Sequence, residues 1–261
     1  MRRLLVLSCC MAALGAPAAR AAEAKRAAGL SAEQIVARNV KARGGLEAWR
    51  AVRTLKMSGE MDAGGTTDAQ LPFVLSMKRP RKSCLEITFA GKNATQVYDG
   101  SQGWKVRPFL NRDDVEPFTQ AEARSAASTA ELDGPLVDYA KKGTRVELAG
   151  NEKVEGKETY KLKLTLKSGE KRFVWVDKKT FLEAKMTGEP RKLDSRPHDV
   201  AIYYRDYRKV GGLKVPYVLE TVVQGVKQSH KMTIRTVTVN PPLEDALFAK
   251  PSAMVAKASG R

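Results

Sequence analysis

Glu158-Thr-Tyr-Lys-Leu-Lys-Leu-Thr-Leu-Lys167 places Tyr160, Leu162, Leu164 and Leu166 on every second position, with Lys161, Lys163, Thr165 and Lys167 between them. A period of two marks a strand with one dry and one wet face. Ser168-Gly169 turns the chain into Lys171-Arg-Phe-Val-Trp-Val-Asp177, and Asp177-Lys178-Lys179 turns it again into Phe181-Leu-Glu-Ala-Lys-Met186. Turns so close together leave no room for crossover helices, so the stretch from Lys153 to Met186 predicts consecutive antiparallel strands.

The same alternation spreads outward in both directions. Upstream, Leu55, Met57, Gly59 and Met61 form one apolar series, Leu71, Phe73, Leu75 and Met77 a second, and Leu85, Ile87 and Phe89 a third. Ala94 to Tyr98 and Trp104 to Arg107, joined by Asp99-Gly100-Ser-Gln-Gly103, complete a five-strand meander. Downstream, strand pattern continues in Val200–Tyr207, Leu213–Val223 with a break or bulge at Pro216, and Lys231–Val239. Helices flank and interrupt this sheet. Ser31-Ala-Glu-Gln34 reads as a capping box opening a helix with Ile35, Val36 and Val40 on its apolar stripe, stopped at Gly44-Gly45. Thr119–Glu131 is alanine-rich and helix-favouring, and Leu132–Tyr139 reads as a second short helix begun at Pro135. The expectation is an α+β fold of about ten or eleven antiparallel strands, more than a strongly twisted sheet holds before it curls and puts one face inside.

Met1-Arg-Arg, an apolar run from Leu4 to Leu14 and Ala19-Arg20-Ala21 make a secretory signal peptide over residues 1–21, with residues 22–261 as one domain. A lipoprotein signal ending at Cys9 is the weaker alternative, because Leu4 to Leu7 is too short an apolar core. Cleavage leaves Cys84 alone, which excludes a disulfide framework. The formal charge is +17, and loss of Arg2, Arg3 and Arg20 with the signal leaves +14. Export and the absence of stacking aromatics among the lysines argue against nucleic acid. Two readings stay open, a solvated strand face that discourages aggregation and an attraction to anionic lipid headgroups or an acidic partner.

Motifs for catalysis are lacking. The two histidines, His198 and His230, lie apart; no H-E-x-x-H, cysteine cluster or G-x-S-x-G elbow is present, and Gly91-Lys-Asn-Ala-Thr95 lacks the glycine and hydroxyl of a phosphate loop. The reading is therefore a protein that is not an enzyme and needs no metal or cofactor. Apolar strand surface accumulates instead. Met57, Met61, Phe73, Leu75, Met77, Leu85, Ile87, Phe89, Leu162, Leu164, Phe173, Trp175, Ile202 and Met232 read either as ordinary core or as a pliable pocket for acyl chains, methionine being adaptable in both settings.

Lys78-Arg-Pro-Arg-Lys82, then Tyr98-Asp-Gly-Ser-Gln-Gly-Trp104 and Pro108-Phe109, and finally Asn240-Pro-Pro-Leu-Glu-Asp-Ala-Leu-Phe-Ala-Lys-Pro251, resemble in order the outer-membrane lipoprotein-sorting, LolA-like family in its longer form. The resemblance implies a strongly curved half-open β-barrel, capped by the N-terminal helix and by a helical lid over residues 119–140; the residues after the last turn read as a frayed tail over 252–261. It implies a periplasmic carrier holding the acyl chains of a lipoprotein or lipid, with an inner-membrane donor and an outer-membrane acceptor. A strand arginine would fasten the lid, with Arg79 and Arg107 as candidates. The alternative reading is an envelope scaffold or sensor with a closed core that binds a partner protein.

Overall fold

The computed structural model describes residues 29–62, 69–108 and 112–252. By its contacts the chain divides into Met1–Ser31 and Ala32–Arg261, and the second unit holds every described helix and strand. The expected signal peptide and all but the first residue of the expected tail lie outside the described residues.

Helix α1 (Ala32–Ala42) starts directly after Ser31 and buries Ile35, Val36 and Val40 as expected, with Asn39 beside them. Gly44 and Gly45, at φ 120° and 97°, end it, and α2 (Leu46–Ala51) resumes. Glycine is required at 44 because a Cβ there would stand 2.5 Å from the Gly212 carbonyl oxygen.

Among the described residues fifteen strands follow: β1 (Thr54–Asp62), β2 (Gln70–Lys78), β3 (Lys82–Phe89), β4 (Lys92–Tyr98), β5 (Gly103–Arg107), β6 (Arg112–Pro117), β7 (Arg145–Val154), β8 (Lys157–Thr165), β9 (Lys171–Asp177), β10 (Glu183–Thr187), β11 (Arg191–Leu193), β12 (Arg196–His198), β13 (Val200–Val210), β14 (Leu213–Val223) and β15 (His230–Val239). Thirteen of them form one sheet in the order β6-β5-β4-β3-β2-β1-β15-β14-β13-β10-β9-β8-β7, and β11 and β12 make a separate ribbon. The sequence reading of ten or eleven strands falls short of this number, and β6 and the ribbon were not legible because Arg112-Asp-Asp-Val-Glu-Pro117 and Arg191-Lys-Leu193 carry almost no apolar alternation. Every described pairing in the sheet is antiparallel.

The order is a sequential meander cut open. From β1 the chain steps outward to β6, crosses to the opposite edge at β7, then steps back until β15 pairs with β1. The edges β6 and β7 do not pair with each other, so the sheet is not closed. The crossover between them contains helix α3 (Gln120–Thr129). Bulges interrupt the register at β1–β15, β5–β6, β7–β8 and β9–β10, and bulges sharpen twist and bend strands. At the first of these a Cβ on Gly59 would come within 2.1 Å of the Thr233 carbonyl oxygen, so the two backbones can approach only over a glycine.

The expected helix from Pro135 is absent, and residues 132–143 run as successive turns. Gly134 at φ 74° and Asp138 at φ 50° lie in the left-handed region, which a right-handed helix cannot cross. Side-chain pairs hold this path. Arg50 grips Asp138 through two bonds of 2.9 and 2.7 Å, and Asp133 accepts from Arg79 and Lys142, each at 2.7 Å. Leu136 and Val137, between the two carboxylates, are fully buried.

The C-terminal segment covers the back of the sheet. Phe248, in the 3₁₀ turn Asp245–Phe248, packs with Cys84 and Val97, and Trp104, Leu243 and Leu247 border them. Burial, with Glu86 adding, pushes the Cys84 thiol up to about 12, which makes it a packing residue and not a nucleophile. Phe248→Ala should therefore cost about 3–5 kcal/mol of stability in a urea titration, the usual range for deleting a buried phenylalanine. A loss below about 1 kcal/mol would show that the segment does not belong to the core.

Candidate functional site

Register assigns each expected pocket residue to a face. Met57 pairs with Leu75 and Leu75 with Leu85; Phe73 pairs with Ile87; Met61 pairs with Met232; and Met77 and Phe89 fall on the same alternation. On the other flank Leu162 pairs with Val174, Val174 with Met186 and Met186 with Ile202, and Leu164 lies two residues along from Leu162. Leu219, unmentioned by the sequence reading, links the halves by pairing with Met232 and Tyr204. Twelve of the fourteen thus share one face.

Phe173 and Trp175 do not. They pair with Lys163 and Lys161, so they sit on the opposite face, where Lys161 Nζ stands 5.1 Å from both rings and Lys185 Nζ 4.3 Å from Trp175. Phe173-Val-Trp-Val176 is apolar on both sides, so alternation within β9 cannot choose between them; the β8–β9 register does.

Burial divides the shared face. Phe73, Met77, Leu162 and Leu164 are buried, whereas Met57, Met61, Leu75, Leu85, Ile87, Ile202 and Met232 are only half-buried and Phe89 is exposed. A continuous band of apolar side chains is therefore only partly covered by the protein itself.

What lies over that face is α3. The capping box of Thr119 and Glu122 opens it, and none of its residues is buried. Lys105 on β5 belongs to the apolar face through Gln96 and Leu85, and its Nζ donates to both Glu122 oxygens at 2.5 and 2.7 Å. Arg172 on β9 belongs to the same face through its pairing with Leu164, and its guanidinium donates to the Ser128 hydroxyl. Between β5 and β9 lie nine strand-to-strand steps. Flattened, those steps would span about 43 Å, while Glu122 and Ser128 are only about 9 Å apart along the helix. The sheet must curl for one helix to touch both strands, and the shared apolar face is the inside of the curl.

The fasteners of α3 are polar. Arg81 Nη2 also donates to the Ala127 carbonyl at 2.9 Å. Of the two arginines considered from sequence, Arg79 holds Asp133, just beyond α3, and Arg107 pairs with Glu116 on β6 at 2.7 Å. Arg172 was overlooked because its strand reads as core. Partial burial opposes ionisation of Glu122, but the bonds from Lys105 and Thr119 outweigh it and hold its carboxyl below the usual range. Further along the concave face Tyr207 Oη donates to Glu183 at 3.1 Å, and Arg43 stands 3.3 Å from that carboxylate. Burial, with Glu183 nearby, pushes both Tyr204 and Tyr207 above the ordinary phenol range, so they stay neutral donors. Among the described residues no cluster of three or more His, Cys, Asp or Glu side chains could hold a metal ion.

No protein-family model and no curated protein matches the chain. Solved structures do. A LolA superfamily protein from Nitrosomonas europaea is 14% identical with a TM-score of 0.56, over 85% of this chain and 99% of that one. A domain named for outer membrane lipoprotein sorting, from Vibrio parahaemolyticus, is 13% identical with a TM-score of 0.55, over 88% and 98%. A DUF1329 family protein from Desulfovibrio piger is 14% identical with a TM-score of 0.57, over 84% and 97%. At such identities the likeness is one of architecture: the chain has the LolA-like fold, α+β with a large unclosed antiparallel sheet.

Lys105→Met should leave the sheet folded and raise amide exchange in residues 120–129 by about 2- to 5-fold, the worth of a partly exposed ion pair. Unchanged exchange would mean that α3 is held by something else. Acid should act in the same direction. Glu122 lies below its ordinary 4.5, and Asp138 falls from 3.8 to about 2 through its bonds to Arg50, against slight burial. Their contributions are complete above those ordinary values and are lost as pH falls through the lower folded ones. Exchange in residues 120–143 should therefore rise below about pH 4 before the β1–β2 amides open.

Proposed function

We propose that the protein is a non-catalytic periplasmic carrier that holds acyl chains of a lipoprotein or lipid against the concave face, with α3 as its lid. One observation carries the reading: a half-covered apolar band lies beneath a helix that buries no residue and is attached by polar contacts. Energetics favour opening to a guest. Partly exposed ion pairs contribute about 0–1 kcal/mol each, and Arg172 keeps Glu170 and Glu189 as partners when Ser128 leaves. An acyl chain gains about 0.8 kcal/mol per buried CH₂, so five or six methylenes already outweigh the fasteners. Met57, Met61, Leu75, Leu85, Ile87, Ile202 and Met232 would line the chain. Transfer from an inner-membrane donor to an outer-membrane acceptor, after removal of residues 1–21, is the finer part of the proposal and rests on the resemblance to lipoprotein-sorting proteins.

The fully buried stretch of the same face, Phe73, Met77, Leu162 and Leu164, favours a second reading, an envelope scaffold with a closed core that binds a partner protein. One experiment separates them. Protein isolated from its native envelope should carry acylated species in mass spectrometry and should shield a fluorescent long-chain fatty acid from water. Leu75→Glu or Met57→Glu should weaken that binding at least about 10-fold by charging the apolar band, while Thr236→Glu, exposed on the outer face, should not change it. Equal binding by all three variants, or none by the wild type, contradicts the carrier reading.

A further inference from the structure

Two clefts lie outside the concave face, and their charges differ. The first, about 640 Å³, includes Glu33 and Glu147 in its lining beside Arg145, Lys163 and Lys171, and Lys163 pairs with Glu147 at 2.6 Å. Two carboxylates thus answer three cations within its own lining. The second, about 610 Å³, is lined by Arg38, Lys41, Lys209 and Lys214 with Phe181, Ala42, Gly44 and Gly212, and among the described residues by no carboxylate. Among the described residues none of these four cations forms an ion pair.

The walls of this second cleft are fixed by backbone contacts. Fully buried Asn39 donates to the Phe181 carbonyl at 2.8 Å, which ties α1 to the β9–β10 turn and holds Phe181 at φ 57°. Lys214 N donates to the Arg43 carbonyl at 2.8 Å, and the Gly44–Gly212 approach ties α1 to the β13–β14 hairpin. The helix end would repel an anion if its carbonyls were bare. They are not: the Asn39, Val40 and Lys41 carbonyls accept from the amides of Arg43, Gly45 and Gly44. Arg38 stands 5.2 Å over the Phe181 ring, so a cationic rim meets an aromatic wall. That combination suits a group carrying a phosphate on one side and a glycerol or acyl stem on the other.

We propose that the cleft between α1, the β9–β10 turn and the β13–β14 hairpin binds a phosphate group, and that its source is the headgroup of an anionic phospholipid at a membrane surface. The site is independent of the acyl hollow, and an acidic protein is the competing occupant. Each cation close to an anionic bilayer contributes a factor of about five to partitioning, and charges farther away than about 10 Å are screened at 0.1 M salt.

The test uses full-length mature protein with vesicles of phosphatidylcholine alone or with one-third phosphatidylglycerol, at 0.1 M salt. The wild type should bind only the anionic vesicles. The triple variant K41Q/K209Q/K214Q should bind them at least 10-fold more weakly, while K153Q/K157Q/K167Q, which removes the same charge from exposed strand ends and a turn elsewhere, should lose less than 3-fold. Inorganic phosphate, added first without vesicles and then to vesicle-bound protein, separates the two sources of the group. Millimolar phosphate that shifts the amide resonances of Lys41 and Lys214 and displaces the vesicles shows that free phosphate suffices, and shifts seen with anionic vesicles alone assign the site to the headgroup. Equal losses in both triple variants overturn the proposal, as does binding to polyglutamate but not to vesicles. Fatty-acid uptake measured on the same variants should match the wild type, so failure here leaves the carrier reading standing.

Discussion

A helix only ten residues long touches both flanks of a thirteen-stranded sheet, and most of the molecule follows from that contact. Lys105 and Arg172 reach it from strands nine steps apart, which no flat or gently twisted sheet allows. Once the sheet is bent that far, its two faces cease to be equivalent. The outer face can be lysine-rich where the C-terminal segment leaves it open to water, with Lys161 and Lys185 lying over Phe173 and Trp175. The inner face concentrates leucine and methionine, several of them only half-buried, and the edges β6 and β7 do not pair with each other.

Nature and direction of the strands were legible because each carries its own alternation; the curl was legible only as an excess of strands. Met57, Leu75 and Leu85 declare their face from within β1, β2 and β3, and pairing merely confirms it. Phe173 and Trp175 could not, since the decision lay with Lys161 and Lys163 across a hairpin. Strand β6 stayed hidden because an edge strand needs no apolar face. The helix expected after Pro135 failed for a reason invisible to propensity: Asp138 exchanges helical backbone for a two-pronged ion pair with Arg50, eighty-eight positions earlier in the chain.

The two candidate sites illustrate the same limit. The residues of the proposed acyl pocket repeat at fixed spacing within strands, so the face most of them share was legible without coordinates. Arg38, Lys41, Phe181, Lys209 and Lys214 come from three separate elements and converge only because Gly44 lets α1 rest against Gly212. In the sequence they were part of a diffuse excess of positive charge. Folding separates that excess into lysines spread over strands and a cleft where no carboxylate among the described residues answers them.

The central claim is that the space under α3 is vacant for a guest, and a crystal structure of the protein soaked with a long-chain fatty acid brominated at its tail examines it directly. The account requires an anomalous bromine peak between α3 and the row formed by Met57, Leu75 and Leu85. A peak only on the outer face or in the basic cleft, or none at all with the inner side chains closed over the space, would contradict it.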